Sequence, residues 1–115
     1  MSTNKTTKQI GDEWEQKARY FLEEKGYDFV INNYRFGRNE VDLIFKDGEV
    51  LVFVEVKFRK DNRFGNPEDF VETPKLERIM AAAENYVFDN NWEGNIRFDV
   101  IAVMPKEIIH FEDIS

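Results

Sequence analysis

The chain contains no cysteine, which excludes a disulfide framework, thiolate chemistry and zinc held by cysteine. Residues that interrupt regular structure are scarce, with 6 Gly and 3 Pro in 115 residues. No internal repeat, low-complexity segment or linker is visible, so one domain over 1–115 is expected, long enough to bury a core. No apolar run approaches the ~20 residues of a membrane-spanning helix, and no membrane partner is expected. The opening Met-Ser-Thr-Asn-Lys-Thr-Thr-Lys lacks the apolar stretch of a secretory signal, which makes a cytoplasmic protein the expectation. Excess positive charge is missing too. A net charge of −7 argues against a protein that coats nucleic acid by charge alone. Residues 34–64 depart from that balance, with seven Lys or Arg against six Asp or Glu. The acidity therefore lies mainly outside the central segment.

What is present is an apolar fraction rich in aromatics, 11 Phe among them, arranged in periods. After a polar stretch over 1–8, expected to fray, Ile10, Trp14, Ala18, Phe21 and Leu22 recur at helical spacing up to Lys25, and Gly26 ends the helix. Glu15 lies in line with Gly11, Ala18 and Leu22, at the edge of the buried stripe; its spacing alone describes a solvated helix glutamate. Tyr27 to Phe36 reads as a strand weakened by Asn32-Asn33, and Gly37-Arg38-Asn39 as a tight turn. A third strand, Val50 to Phe58, has apolar residues on both faces at its start and is expected to be central. Residues 59–73 have neither period and are expected to form an irregular basic loop containing Arg59, Arg63 and Phe64. Thr73-Pro74 then opens a helix with Thr73 as N-cap. Its apolar stripe is Leu76, Ile79, Met80, Ala83 and Val87. Ile96 to Met104 is a strand, and Ile108 to Phe111 a candidate short edge strand carrying the only histidine, His110, read as a surface residue. A right-handed crossover makes the strands before and after the second helix parallel. The expectation is an α/β domain of order αβββαβ, a four-stranded mixed sheet flanked by helices.

The chemistry concentrates between Glu40 and Lys57. Asp47-Gly48 between alternating runs is a hairpin signal, and as the two central turn residues they set Lys46 opposite Glu49. Asp42 then lies opposite Phe53 and diagonal to Glu55, with Glu40, Asp42, Glu55 and Lys57 on one face. Several buried carboxylates need a compensating cation. Asp42 and Glu55 suit a hard divalent ion such as Mg²⁺ or Mn²⁺, which takes carboxylate and water oxygens and can activate a water toward a phosphate. Lys57 would orient that water or stabilise developing charge. The bland alternative is a solvated sheet face with cross-strand ion pairs between Lys57 and Glu55 or Asp42.

These residues also carry a resemblance. Asp42…Glu55-Val56-Lys57 resembles the Asp…(Asp/Glu)-x-Lys signature of the PD-(D/E)XK nuclease superfamily. A longer set is similar to the YraN-like family of small bacterial proteins, described as candidate endonucleases and akin to archaeal Holliday-junction resolvases. That set comprises Gly11-x-x-x-Glu15-x-x-Ala18, Asn33-x-Arg35, Glu40-Val41-Asp42-Leu43-Ile44, Phe53-Val54-Glu55-Val56-Lys57-x-Arg59, Phe64-Gly65, Lys75 and Arg97-Phe98-Asp99-Val100-Ile101. Asn39 stands where this family usually has Gly, and Val41 where Pro is expected. The resemblance implies a restriction-endonuclease-like core, metal binding by Asp42 and Glu55, and catalytic support from Lys57 and Glu15. It also implies an indirect role for Glu40 and contacts to nucleic acid, DNA before RNA, from Arg35, Arg59, Arg63 and Lys75. The expected function is a Mg²⁺-dependent endonuclease acting on branched or structured DNA, as a homodimer if it cuts junctions symmetrically. The alternative is a non-catalytic binding module that keeps the nuclease fold.

Overall fold

The computed structural model describes residues 6–59 and 73–114. In order, the elements are α1 (Thr7–Glu24), β1 (Asp28–Phe36), β2 (Asn39–Asp47), β3 (Val50–Phe58), α2 (Thr73–Asp89), β4 (Asn95–Val103) and β5 (Ile108–Phe111). They form a mixed sheet in the order β1-β2-β3-β4-β5. β3 and β4 are parallel, and every other neighbouring pair is antiparallel. The short terminal strand does join the sheet, so there are five strands rather than the expected four. Most of the expected irregular loop, Arg63 and Phe64 included, lies outside the described residues, as do the first five residues and the capping side chain of Thr73.

The sheet separates two cores. On one side, Ala18 and Leu22 of α1 pack with Leu43, Phe45, Val52, Val54, Ile101 and Val103. On the other, Ile79, Ala82 and Ala83 of α2 pack with Val41, Ile44, Leu51, Phe53 and Phe98. β3 feeds both, as its two apolar faces imply. The stripe of α2 is rotated from the one expected. Ala82 is buried while Met80 is 40% exposed, because the two alanines bring the helix close to the sheet. Tyr86 then reaches Phe53 and Tyr34 edge-on.

Both helices end where backbone geometry dictates. The first turn of α1 is fixed by a capping box in which Gln9 N donates to Thr6 Oγ1 and Thr6 N donates to Gln9 Oε1, at 3.1 and 2.8 Å. Residues 7 and 8 are therefore helical rather than frayed, and Thr6-x-x-Gln9 was the readable signal. At the other end Gly26 takes φ 92°, and the bonds Tyr27 N to Leu22 O and Gly26 N to Glu23 O complete a Schellman motif. Asn91, φ 51°, plays the same part after α2, with Trp92 N donating to Val87 O.

His110 is not a surface residue. Its ring is 1% exposed, and Nε2 lies 2.7 Å from Asp99 Oδ2, while Nδ1 takes a 2.9 Å bond from Lys25 Nζ. Residence on an edge strand misled the expectation, because the face of β5 turned toward α1 is covered.

Candidate active site

The site begins with a turn. The β2–β3 register runs from Asp47↔Val50 to Leu43↔Val54, so the loop is Gly48-Glu49 rather than Asp47-Gly48. Gly48 alone of the two has positive φ, 60°, which is the type II′ pattern with glycine first. Asp47 is instead paired in the ladder, and its Oδ2 accepts from Arg97 at 3.1 Å. The shift brings Asp42 into line with Glu55 rather than Phe53.

At Asp42 the β2–β3 ladder stops. Val56 N–H, the next donor along β3, is bonded to the Asp42 carboxylate, Oδ2, at 2.8 Å. On the other side of β2, the pairs Asn32↔Leu43 and Tyr34↔Val41 flank Asn33, which has φ 53°. Both strands change face across this point. Leu43 packs in the α1 core, whereas Val41 and Tyr34 pack in the α2 core. In a regular strand residues two apart share a face. The single face expected for Glu40, Asp42, Glu55 and Lys57 is thus replaced by a cluster that straddles the sheet where β2 and β3 part.

On the α2 side of that opening sits Glu55, 5% exposed. Two lysines converge on its Oε1: Lys57 Nζ at 3.3 Å and Lys75 Nζ from the first turn of α2. Burial and the neighbouring Lys75 pull the Lys57 ammonium below its ordinary pKa, against the pull of Glu55. Burial also opposes charge on Lys75, but its bonds to Glu55 and Lys57 outweigh this and hold it above the ordinary value. Asp42 is pushed up to about 8 by burial and by the charge of Glu55, with the Val56 bond opposing. Two carboxylates in one dry space cannot both ionise without help.

On the α1 side, Trp14 stacks on Phe58 with centroids 3.8 Å apart and so brings the next residue, Glu15, to this end of the sheet. Burial raises its pKa, a bond from Asn33 lowers it, and the charges of Asp12, Glu40 and Glu55 add to the rise. Assigned from its hydrogen-bond network, the Asn33 amide sets Nδ2 toward Glu40 Oε1 at 2.9 Å and Glu15 Oε2 at 3.3 Å, its oxygen accepting from Asn32 Nδ2. The reverse would set oxygen against two carboxylates. Arg35 reaches Glu40 Oε2 at 3.4 Å. Lys8, Asp12, Glu15, Asn33, Arg35 and Glu40 line an open polar groove here.

Asp42, Glu55, Lys57, Glu15 and Glu40 thus gather at one end of the sheet. Lys75 joins them, bonded to Glu55. Arg35 borders the groove. Arg59 continues β3, with its N–H on Val103 O and its guanidinium on Phe58 O. The sequence did not mark Asn33 as an organiser of the site; an asparagine pair inside a strand was the signal, since asparagine tolerates the left-handed backbone. Among the described residues no three Asp, Glu or His side chains stand close enough to hold a metal ion unaided. The Asp42–Glu55 pair, with its unfavourable shared charge, nevertheless fits a hard cation that completes its shell with water.

Comparisons with known proteins fall on this same stretch. The model of "Uncharacterised protein family UPF0102" matches residues 14–103. A UPF0102 protein of Cytophaga hutchinsonii is 45% identical over 108 residues, covering 93% of this chain and 96% of its own. One from Flavobacterium psychrophilum is 39% identical over 108 residues, covering 90% and 91%. A solved structure described as "Crystal structure of SSO0001" aligns with 90% of this chain and 49% of its own, at a TM-score of 0.44 and 14% identity, too slight a likeness to carry an argument. With the family model spanning most of the chain and relatives at this identity over nearly all of it, the chain belongs to UPF0102.

Proposed function

We propose that this protein is a metal-dependent endonuclease that hydrolyses phosphodiester bonds in branched or otherwise structured DNA. The observation that carries the reading is the meeting of Asp42 and Glu55, from two parting strands, with the Lys57 ammonium on the same carboxylate. This is the arrangement the PD-(D/E)XK signature would require. Asp42 and Glu55 would hold a Mg²⁺ or Mn²⁺ ion, which when bound supplies Lewis-acid polarisation of the phosphate and a more acidic water. Lys57 orients the attacking water and donates to the phosphate oxygens as charge develops on them. Glu15, across the opening, accepts a hydrogen bond from that water and fixes its approach to phosphorus. Water oxygen bonds to phosphorus and gives up a proton to solvent, the ester P–O bond breaks in line, and the departing oxygen takes up a proton from solvent, so that one water is consumed per bond cut. Lys75, now bonded to Glu55, would be free to contact the substrate phosphate were a cation to compensate Glu55 in its place. Arg35, exposed at the groove's edge, contacts the nucleic-acid backbone.

A second reading is favoured by one contact. Lys75 already neutralises Glu55, as in a non-catalytic binding module that keeps the fold. A cleavage panel of junction, flap, duplex and single-stranded DNA with Mg²⁺ or Mn²⁺ separates the two. Wild type should cut at least one substrate, and Glu55→Ala and Lys57→Ala should each lose roughly 100-fold or more in kcat, the scale of losing a main electrostatic or acid–base group. No cutting by wild type, or equal cutting by both variants, leaves the binding module as the better account. No helix among the described residues is long and apolar enough to cross a membrane.

A further inference from the structure

Asn33 is the residue at which the sheet, the first helix and the candidate active site are joined, and it does so twice. Its backbone is left-handed, φ 53°, a conformation that asparagine tolerates and β-branched residues do not. The consequence is visible in its neighbours. Asn32 and Asn33 both line the groove beside α1, although consecutive strand residues ordinarily point to opposite faces. Tyr34 then turns to the α2 core. β2 makes the same change of face between Leu43 and Val41, and the residue in between is Asp42. The Asp42 carboxylate, released from the ladder, takes Val56 N–H and lies against Glu55. The side chain makes the second join. One amide nitrogen donates to Glu40 of β2 and to Glu15 of α1, and among the described residues it is the hydrogen bond that ties Glu15 to the sheet.

We propose that Asn33 is a positioning residue: its left-handed backbone turns Asp42 out of the ladder, and its amide holds Glu15 at the site. The inference deepens the endonuclease reading and rests on it. An aspartate here would set a third carboxylate against Glu15 and Glu40, and a residue without a donor would leave those two to repel one another. Backbone and amide roles are separable. Glycine keeps the left-handed conformation and removes the amide, whereas valine removes both.

The test combines Mn²⁺ affinity of the full chain alone, by calorimetry, with kcat and KM on the best substrate of the cleavage panel. For Asn33→Gly, kcat should fall roughly 10- to 100-fold, the rate equivalent of losing a hydrogen bond to a charged group. KM and Mn²⁺ affinity should stay within about threefold of wild type, since Asp42 and Glu55 are still in place. The double variant Asn33→Gly/Glu15→Gln should be no slower than Glu15→Gln, because two groups acting as one unit are not additive. Asn33→Val, if it folds, should lose Mn²⁺ affinity as well. A wild-type rate in Asn33→Gly, a Mn²⁺ loss in it as large as its kcat loss, or losses that multiply in the double variant would each overturn the inference while leaving the endonuclease reading intact. A wild-type chain that neither binds Mn²⁺ nor cuts would overturn both.

Discussion

Glu55 carries more of the local charge balance than any other side chain in the cluster. It is buried, it bears two lysines on one oxygen, and its charge is a leading reason Asp42 resists ionisation. Lys75 therefore occupies the charge position that a divalent ion would take. Removing that ammonium should favour the ion. We expect Lys75→Ala to tighten Mn²⁺ binding by about tenfold, ~1.4 kcal/mol, well inside the Coulomb energy of charges a few ångströms apart at an effective dielectric of ~20. If the protein cleaves DNA as proposed, the same change should slow cleavage, since it removes a lysine that would contact the phosphate. Calorimetry on the metal-free chain reads the first effect independently of the second; unchanged or weaker Mn²⁺ binding would show that Lys75 does not compete for Glu55. The sequence pointed to Glu55 and Lys57 through their two-residue spacing on a central strand. Their link to Lys75, 18 residues beyond Lys57 in sequence, was beyond its reach, because it depends on how the second helix packs against that strand.

At the scale of elements, periodicity located both helices and the central strand, since burial on one or two faces writes itself into apolar spacing. Register was harder. Asp47-Gly48 is compatible with two loops that differ by one residue at each end, and the choice between them moves Asp42 from opposite Phe53 to beside Glu55. In the observed register Asp47 meets Arg97, a partner 50 residues away in sequence that local spacing does not reveal. Likewise, Val41-Asp42-Leu43 reads as plain alternation; the change of face at Asp42 depends on its partner in β1. The observed loop makes its own prediction. With Gly48 at φ 60°, Gly48→Ala should destabilise the fold by roughly 1–2 kcal/mol, the left-handed cost for a residue with a Cβ. Gly48→Asn should cost clearly less. Urea unfolding at constant m-value measures both. Equal costs for the two substitutions would argue against a left-handed requirement at this position.

Across the whole molecule, a second polar cluster unites parts of the chain that the candidate site does not touch. Asp99, buried in β4, accepts from Arg97 Nε and NH2 at 2.9 Å each, from Asp113 N at 2.9 Å, and faces His110 Nε2 at 2.7 Å. Arg97 in turn reaches Asp47 in the hairpin and the Tyr27 hydroxyl after α1. The network thereby fastens β5 and the last described residues to the hairpin and to the end of α1. Burial alone would raise the pKa of Asp99, but bonds from His110, Arg97 and Asp113 outweigh it and hold the group below its ordinary value. A carboxylate depressed in the folded state stabilises that state above its unfolded pKa, ~3.9, and the contribution is lost as pH falls through the lower folded value. Asp99→Asn leaves the Arg97 cation, only 16% exposed, without its main counter-charge. At pH 7 this should cost about 3–5 kcal/mol, the penalty for breaking a buried pair on one side. The difference from wild type should hold steady from pH 7 to about 5 and narrow below pH ~4 as the wild-type carboxylate protonates. Chemical denaturation of both proteins across that range measures it. A gap that stays constant down to pH 2 would mean that the charge of Asp99 contributes nothing, and that its hydrogen-bonding shape alone fastens the end of the chain.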